Sequence, residues 1–142
     1  MEPLVSILIP AYNSQEWLPS TIESALAQTW RKVFGDQKAT LVLAILSDKD
    51  LRGICEALAP IAGSVILPKI RGERAVAPAE LAKIFSILSP SLPHTVSSTI
   101  GDALMLARAK PNPILITGSL HFAGEVLAHL RGKPAAFEEC AQ

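Results

Sequence analysis

Asp48, Lys49 and Asp50 stand together at the end of an apolar run, LVLAILSDKD over Leu41 to Asp50. Two carboxylates at that spacing can offer oxygen ligands to Mg²⁺, although Lys49 lowers the local negative charge and waters and substrate phosphates would have to complete the shell. The same triplet reads as a solvated turn or substrate-positioning loop in which Asp50 caps the next helix. A second candidate is Thr117-Gly118-Ser119, where Gly118 permits close backbone approach and Ser119 can cap a helix whose first amides face an anion. It reads equally as a plain cap and as a ligand site. Arg71 and Arg74, in the RGER turn, can contact a carboxylate or phosphate, or form an exposed pair with Glu73. His121 comes early in a helix, where the dipole favours a neutral imidazole within reach of a ligand near Ser119. His94, expected in a loop, and His129 have no spacing that links them into a catalytic or metal-binding set. No catalytic residue and no metal ligand set is assigned.

The elements that must hold these groups follow from the hydrophobic pattern. Leu4 to Ile9 is a first buried strand, stopped by Pro10, which cannot donate to a ladder. After the loop AYNS a helix begins near Leu18, with Pro19 in its first turn and Leu18, Ile22, Ala25 and Leu26 at helical spacing. Gly35 and Asp36 break it before a central strand, Thr40 to Leu46, whose unbroken aliphatic run implies burial on both faces. Leu51, Ile54, Cys55, Leu58 and Ile61 line a second helix, with Gly63 as its stop. Ser64 to Leu67 is a third strand, and Pro78 opens a helix carrying Leu81, Ile84, Phe85 and Leu88 until SPSLP ends it. Thr95 to Ser97 is a short edge strand, and Thr99 caps a helix bearing Ile100, Ala103, Leu104 and Ala107. Ile114 to Ile116 is a fifth strand, followed by a helix with Phe122, Val126, Leu127 and Leu130 on one side. Strands alternating with helices imply a three-layer, Rossmann-like α/β domain, with helices on both faces of a mostly parallel sheet of about five to six strands. One domain spans residues 1–142, and the tail 134–142 is expected to fray.

The 142 residues suffice for one core, and at 49% hydrophobic and 18% charged the chain is more apolar than an average soluble domain. Thirteen basic residues balance thirteen acidic ones, giving no global field for nucleic acid or an anionic membrane surface. Cys55 and Cys140 lack metal-site or CxxC spacing and read as one core and one exposed thiol. Trp17 and Trp30, flanking the first helix, read as packing residues. No apolar run is long enough to span a bilayer and no signal core opens the chain, so a soluble, cytoplasmic protein is expected. The GxxxxGK[ST] pattern of a phosphate-binding loop occurs nowhere, so ATP hydrolysis by these residues alone is not expected.

From about Val33 onward the chain resembles the C-terminal domain of folylpolyglutamate synthase/dihydrofolate synthase, in the Mur ligase superfamily. The residues that carry the resemblance are LVLAILSDKD, the ERA turn (Glu73 to Ala75), Ala103 to Ala107, and ILITGSLHFAGEVL (Ile114 to Leu127). Glu2 to about Lys32 looks instead like the opening strand, nucleotide-contacting loop and first helix of a family 2 glycosyltransferase, through PLVSILIPAYN and TIESALAQTW. Where the synthases carry Asp-Gly-Ala-His-Asn-Pro, this chain has Ile9, Pro10, Ala11, Tyr12 and Asn13, and only Ala11 and Asn13 match. The chain therefore reads as a hybrid joined between Trp30 and Gly35. Each parent segment supplies a buried strand, a loop at the sheet end and an amphipathic helix, so the exchange keeps pattern and volume.

The synthase resemblance implies a domain that closes over ATP and Mg²⁺ held by a P-loop central ATPase domain, its natural partner. It carries Asp48, Lys49, Asp50, Arg74 and Ser119 over as residues facing nucleotide, glutamate or that partner. No cofactor is expected to bind the chain alone, and no ligase activity without the central domain. The rival reading is a minimal glycosyltransferase in which Tyr12 and Asn13 touch a nucleotide base and Asp48-Lys49-Asp50 holds a metal. The early Asp-Asp pair of that family is missing, as is a later catalytic carboxylate. A structural or engineered chimera with no ligand is the third reading. A sheet edge left by a missing upstream strand could promote self-association.

Overall fold

The computed structural model describes residues 5–7, 19–47, 50–72 and 74–132, of which 5–7, 19–24, 120 and 121 are described by their backbone alone. In chain order the elements are β1 (Val5–Ile7), α1 (Pro19–Phe34), β2 (Ala39–Leu43), α2 (Leu51–Leu58), a 3-10 turn (Ala59–Ile61), β3 (Ala62–Pro68), α3 (Pro78–Leu88), β4 (His94–Ser97), α4 (Ile100–Arg108), β5 (Ile114–Thr117) and α5 (Leu120–Leu130). Among the described residues the strands form one five-stranded sheet in the order β1-β5-β2-β3-β4. Every neighbouring pair is parallel. The expected α/β architecture of strands, crossover helices and two covered faces is therefore what the chain adopts.

Strand residues alternate between the two faces, which assigns each helix to a layer. Leu41, Leu43, Val65, Leu67 and Leu115 share a core with Trp30 of α1, Ile54 and Leu58 of α2, and Leu81 and Phe85 of α3. Val42, Ile66, Ile114 and Ile116 face the other way, onto Ile100, Ala103 and Leu104 of α4 and Phe122 and Val126 of α5. All five residues of β2 are buried, as a strand sandwiched between two helical layers must be. Trp30 closes the amino end of the first layer, where its indole Nε1 donates to the Gln37 carbonyl at 2.8 Å and its ring lies 4.1 Å from that of Phe34.

Several boundaries differ from the sequence reading, each for a local reason. The central strand leaves the ladder at Leu43 rather than Leu46, because Ile45 to Ser47 turn to pair with the segment Arg74 to Val76. The second helix ends at Leu58: Pro60 lacks an N–H, so the chain tightens into a 3-10 turn, and Gly63 lies inside β3 rather than stopping a helix. His94 begins β4 instead of sitting in a loop, with Nε2 3.3 Å from the Ser86 hydroxyl. The first helix begins at Pro19, a position that tolerates the missing N–H. Of the expected first strand, Val5–Ile7 is present, and the remainder, with Tyr12, Asn13, Trp17 and the 134–142 tail, lies outside the described residues.

Candidate functional site

β2 and β5 are neighbours in parallel register, with Leu43 opposite Thr117. From their carboxyl ends the chain departs in opposite directions, since α2 packs on one face of the sheet and α5 on the other. Such a divergence opens a crevice outside the strand ends, where ligands of open α/β sheets bind. Asp50, the described residue of the DKD motif, follows the end of β2, and the TGS motif forms the end of β5 and the turn after it.

Three backbone features fix it. Gly118 adopts φ +133°, and a Cβ placed there would overlap the Ala44 carbonyl, so only glycine lets the β5 loop lie against the end of β2. On the other side of the same segment, Ser47 N donates to the Arg74 carbonyl at 2.6 Å and Val76 N to the Ile45 carbonyl at 3.0 Å, with an antiparallel bridge between Leu46 and Ala75. Residues 44–47 thus lie between the TGS turn and the ERA turn. Three stretches far apart in sequence meet there.

Each helix leaving the crevice is capped. Asp50 accepts from Gly53 N through Oδ1 at 3.1 Å and heads α2. Ser119, which is buried, accepts from Phe122 N through Oγ at 3.0 Å and heads α5. Having accepted through oxygen, the serine hydroxyl retains its own proton as a donor. Next to it, the Thr117 hydroxyl is buried without a hydrogen-bond partner at the end of β5. One turn into α2, Cys55 has its thiol pushed up from 9.0 to about 12, first by burial and then by the charge of Asp50, so it stays protonated and unreactive.

Of the residues expected at a site, Asp50, Ser119 and the backbone of Arg74 flank the same short segment. Arg74 is exposed and engaged within the protein. Asp48, Lys49, Tyr12 and Asn13 lie outside the described residues, and His121 is placed by its backbone alone, in the first turn of α5. His94 starts β4 and so sits at the amino end of the sheet, away from the crevice. Among the described residues no group of three or more His, Cys, Asp or Glu side chains could hold a metal ion. Sequence reasoning missed the Ala44 carbonyl and the Arg74 to Val76 backbone, because peptide groups carry no side-chain signature.

No family profile and no curated protein matches the sequence. Solved structures do. Folylpolyglutamate synthase of Mycobacterium tuberculosis, complexed with ADP and AMPPCP, superposes with a TM-score of 0.72 at 30% identity, over 89% of this chain and 30% of that one. The bifunctional folylpolyglutamate synthase/dihydrofolate synthase of Yersinia pestis, complexed with AMPPNP and Mn ion, gives 0.70 at 20% identity, over 81% and 27%. A bifunctional synthase with Mn, AMPPNP and L-glutamate bound gives 0.70 at 21% identity, over 91% and 29%. The fold is therefore folylpolyglutamate synthase-like, and the chain spans less than a third of the length of these proteins. The share of this chain that superposes on the mycobacterial enzyme exceeds the stretch from residue 33 onward, so the likeness extends into the N-terminal segment. No helix of the described residues is long and apolar enough to cross a membrane.

Proposed function

We propose that this chain is the C-terminal lobe of a folylpolyglutamate synthase-type, ATP-dependent glutamate ligase, and that it presents the β2–β5 crevice to a nucleotide-holding ATPase domain. The observation that carries the reading is the convergence of Gly118, the Ala44 carbonyl and the Arg74 to Val76 segment at the carboxyl ends of adjacent strands. Support also comes from three of the stretches that resemble a ligase lobe in sequence, whose described residues Ser47, Arg74, Ala75 and Gly118 lie near one another in this arrangement. Lacking a phosphate-binding loop and a metal-holding cluster among the described residues, the lobe contributes shape rather than chemistry. Asp50 and Ser119 cap their helices, the α5 first turn offers amides to an anionic group, and the Arg74 to Val76 segment braces Ile45 to Ser47. In the complete ligases ATP supplies the activation for amide formation. In this lobe no described residue is placed to do so.

Residues 2–32 belong, in this reading, to a segment exchanged from a nucleotide-binding fold of glycosyltransferase type. Support comes from the PLVSILIPAYN stretch and from β1 and α1 occupying the strand and helix positions that a parallel β-α-β start requires. Purified chain incubated with ATP, Mg²⁺, glutamate and a folate substrate is expected to give no ATP- and glutamate-dependent turnover, and measurable turnover would overturn the proposal. Calorimetry with a uridine nucleotide and Mn²⁺ should likewise show no metal-dependent heat. Such heat, abolished by Asp50→Ala, would make the chain a transferase.

A further inference from the structure

The sheet diverges at a second place. β3 and β4 are adjacent and parallel, with Pro68 opposite Ser97. α3 follows β3 on one face, whereas α4 follows β4 on the other. The same topological rule that marks the β2–β5 crevice therefore marks this one. Here the strand ends are tied together by Lys69 N donating to the Ser97 carbonyl at 3.0 Å, and the space beyond them is open rather than filled.

Two cavities occupy that space. One, of about 670 Å³, is lined by Lys69, Arg71, Ser98, Thr99, Glu125 and His129 over Ile70 and Ile100. The other, of about 590 Å³, shares Lys69, Ile70 and Gly72 and extends along Val96 and Pro78. Their volumes suit a metabolite-sized ligand, and buried Ile70 and Ile100 give the first an apolar floor. Among the described residues three basic side chains border it against a single carboxylate, that of Glu125, and both Arg71 and Glu125 are engaged within the protein. The start of α4, through Thr99 and Ile100, lines the same cavity. Thr99 serves as its cap, taking Asp102 N on Oγ1 at 3.0 Å and Ala103 N on its carbonyl at 3.1 Å. A helix of this kind leaves its first amides without intrahelical acceptors, and those here belong to Ile100 and Gly101. A Cβ added at Gly101 would meet only Thr99 Oγ1, at 3.9 Å, so an acceptor can approach that backbone closely.

We propose that the β3–β4 crevice is a second ligand site, which takes a small molecule through a phosphate or carboxylate group. The anionic group sits at the Ile100 and Gly101 amides between Lys69 and His129, and the apolar remainder lies on Ile70 and along Val96. The residues that would hold the anion, Lys69, Ile100, Gly101 and His129, lie outside the DKD, ERA and TGS stretches, so its capture does not depend on the ligase reading; Ala75 of the ERA stretch lines only the smaller cavity.

The test is amide-resolved NMR of the full chain, titrated separately with inorganic phosphate and with succinate. Saturable shifts of the Ile100, Gly101, Lys69 and Gly72 amides are expected with at least one anion, and the anion that produces them identifies the ligand as a phosphate ester or a carboxylate. The Lys69→Gln/His129→Gln variant, altered at exposed side chains only, should weaken the binding roughly tenfold or more. The absence of saturable shifts at these amides with both anions would overturn the proposal. So would shifts confined to Ser119 and Phe122, or binding unchanged in the double variant while its spectrum shows the native fold.

Discussion

The two crevices at the carboxyl end of the sheet share a topology and differ in what closes them. At β2–β5 the backbone fills the gap: Gly118 lies on the Ala44 carbonyl, and the ERA segment pairs along Ile45 to Ser47. At β3–β4 the loops stand apart and leave two cavities bordered by Lys69, the larger also by His129. A closed crevice demands particular residues at particular positions, whereas an open one is defined by side chains that reach into it from separate elements. One is suited to presenting a rigid surface to a partner, the other to holding a small molecule.

Glycine substitutions should expose this difference most sharply. Gly118→Ala puts a methyl group into the Ala44 carbonyl at φ +133°, and is expected to cost more than about 3 kcal/mol in urea unfolding or to prevent folding. Gly72→Ala, at φ +115° beside the open crevice, meets nothing within 4 Å and should cost only about 1–2 kcal/mol of backbone strain. Equal losses at the two positions would refute the closed-versus-open distinction.

The helix caps give a smaller contrast. Ser119→Ala removes a buried cap and should cost about 1–2 kcal/mol, whereas Thr99→Ala removes an exposed one and should cost about 0.5–1 kcal/mol, both read from denaturant midpoints.

At neutral pH the smallest effect belongs to Cys55. Its folded thiol is held at about 12 against 9.0, so the unfolded chain loses the proton first. The group therefore leaves stability untouched below about pH 9 and lowers it as pH rises from there toward 12, by at most roughly 1.4 kcal/mol per pH unit. Comparison of the wild-type chain with Cys55→Ala across that window should show a shallower decline for the variant. Parallel curves would remove the thiol as the cause.

Much of the fold is written in local pattern. The buried runs of β2 and β5, the caps Asp50, Thr99 and Ser119, and the helical stripe of Leu81 and Phe85 each carry a signal within a few residues, and each is found where that signal puts it. Boundaries set by distant partners are not readable in this way. β2 stops at Leu43 because a turn some thirty residues later pairs with the chain beyond it, and no property of Ile45 or Leu46 announces this. For the same reason the TGS and DKD stretches stand out as motifs, while Lys69 and His129 cannot be joined from sequence: they line one cavity only through the packing of α4 on β3 and of α5 beside α4. Gly63 reads as a helix stop because a glycine after an apolar stripe usually is one, yet Pro60 has already ended the helix.

The central claim is that the β2–β5 crevice is the surface offered to a nucleotide-holding domain. The direct measurement is amide-resolved NMR of this chain titrated with a separately purified P-loop domain of a folylpolyglutamate synthase loaded with AMPPNP. Saturable shifts at Leu46, Ser47, Asp50, Arg74, Ser119 and Phe122, with the edge residues Thr95 and Val96 unmoved, are the predicted result. Shifts centred on β4, or none at any ratio of the two proteins, would contradict it.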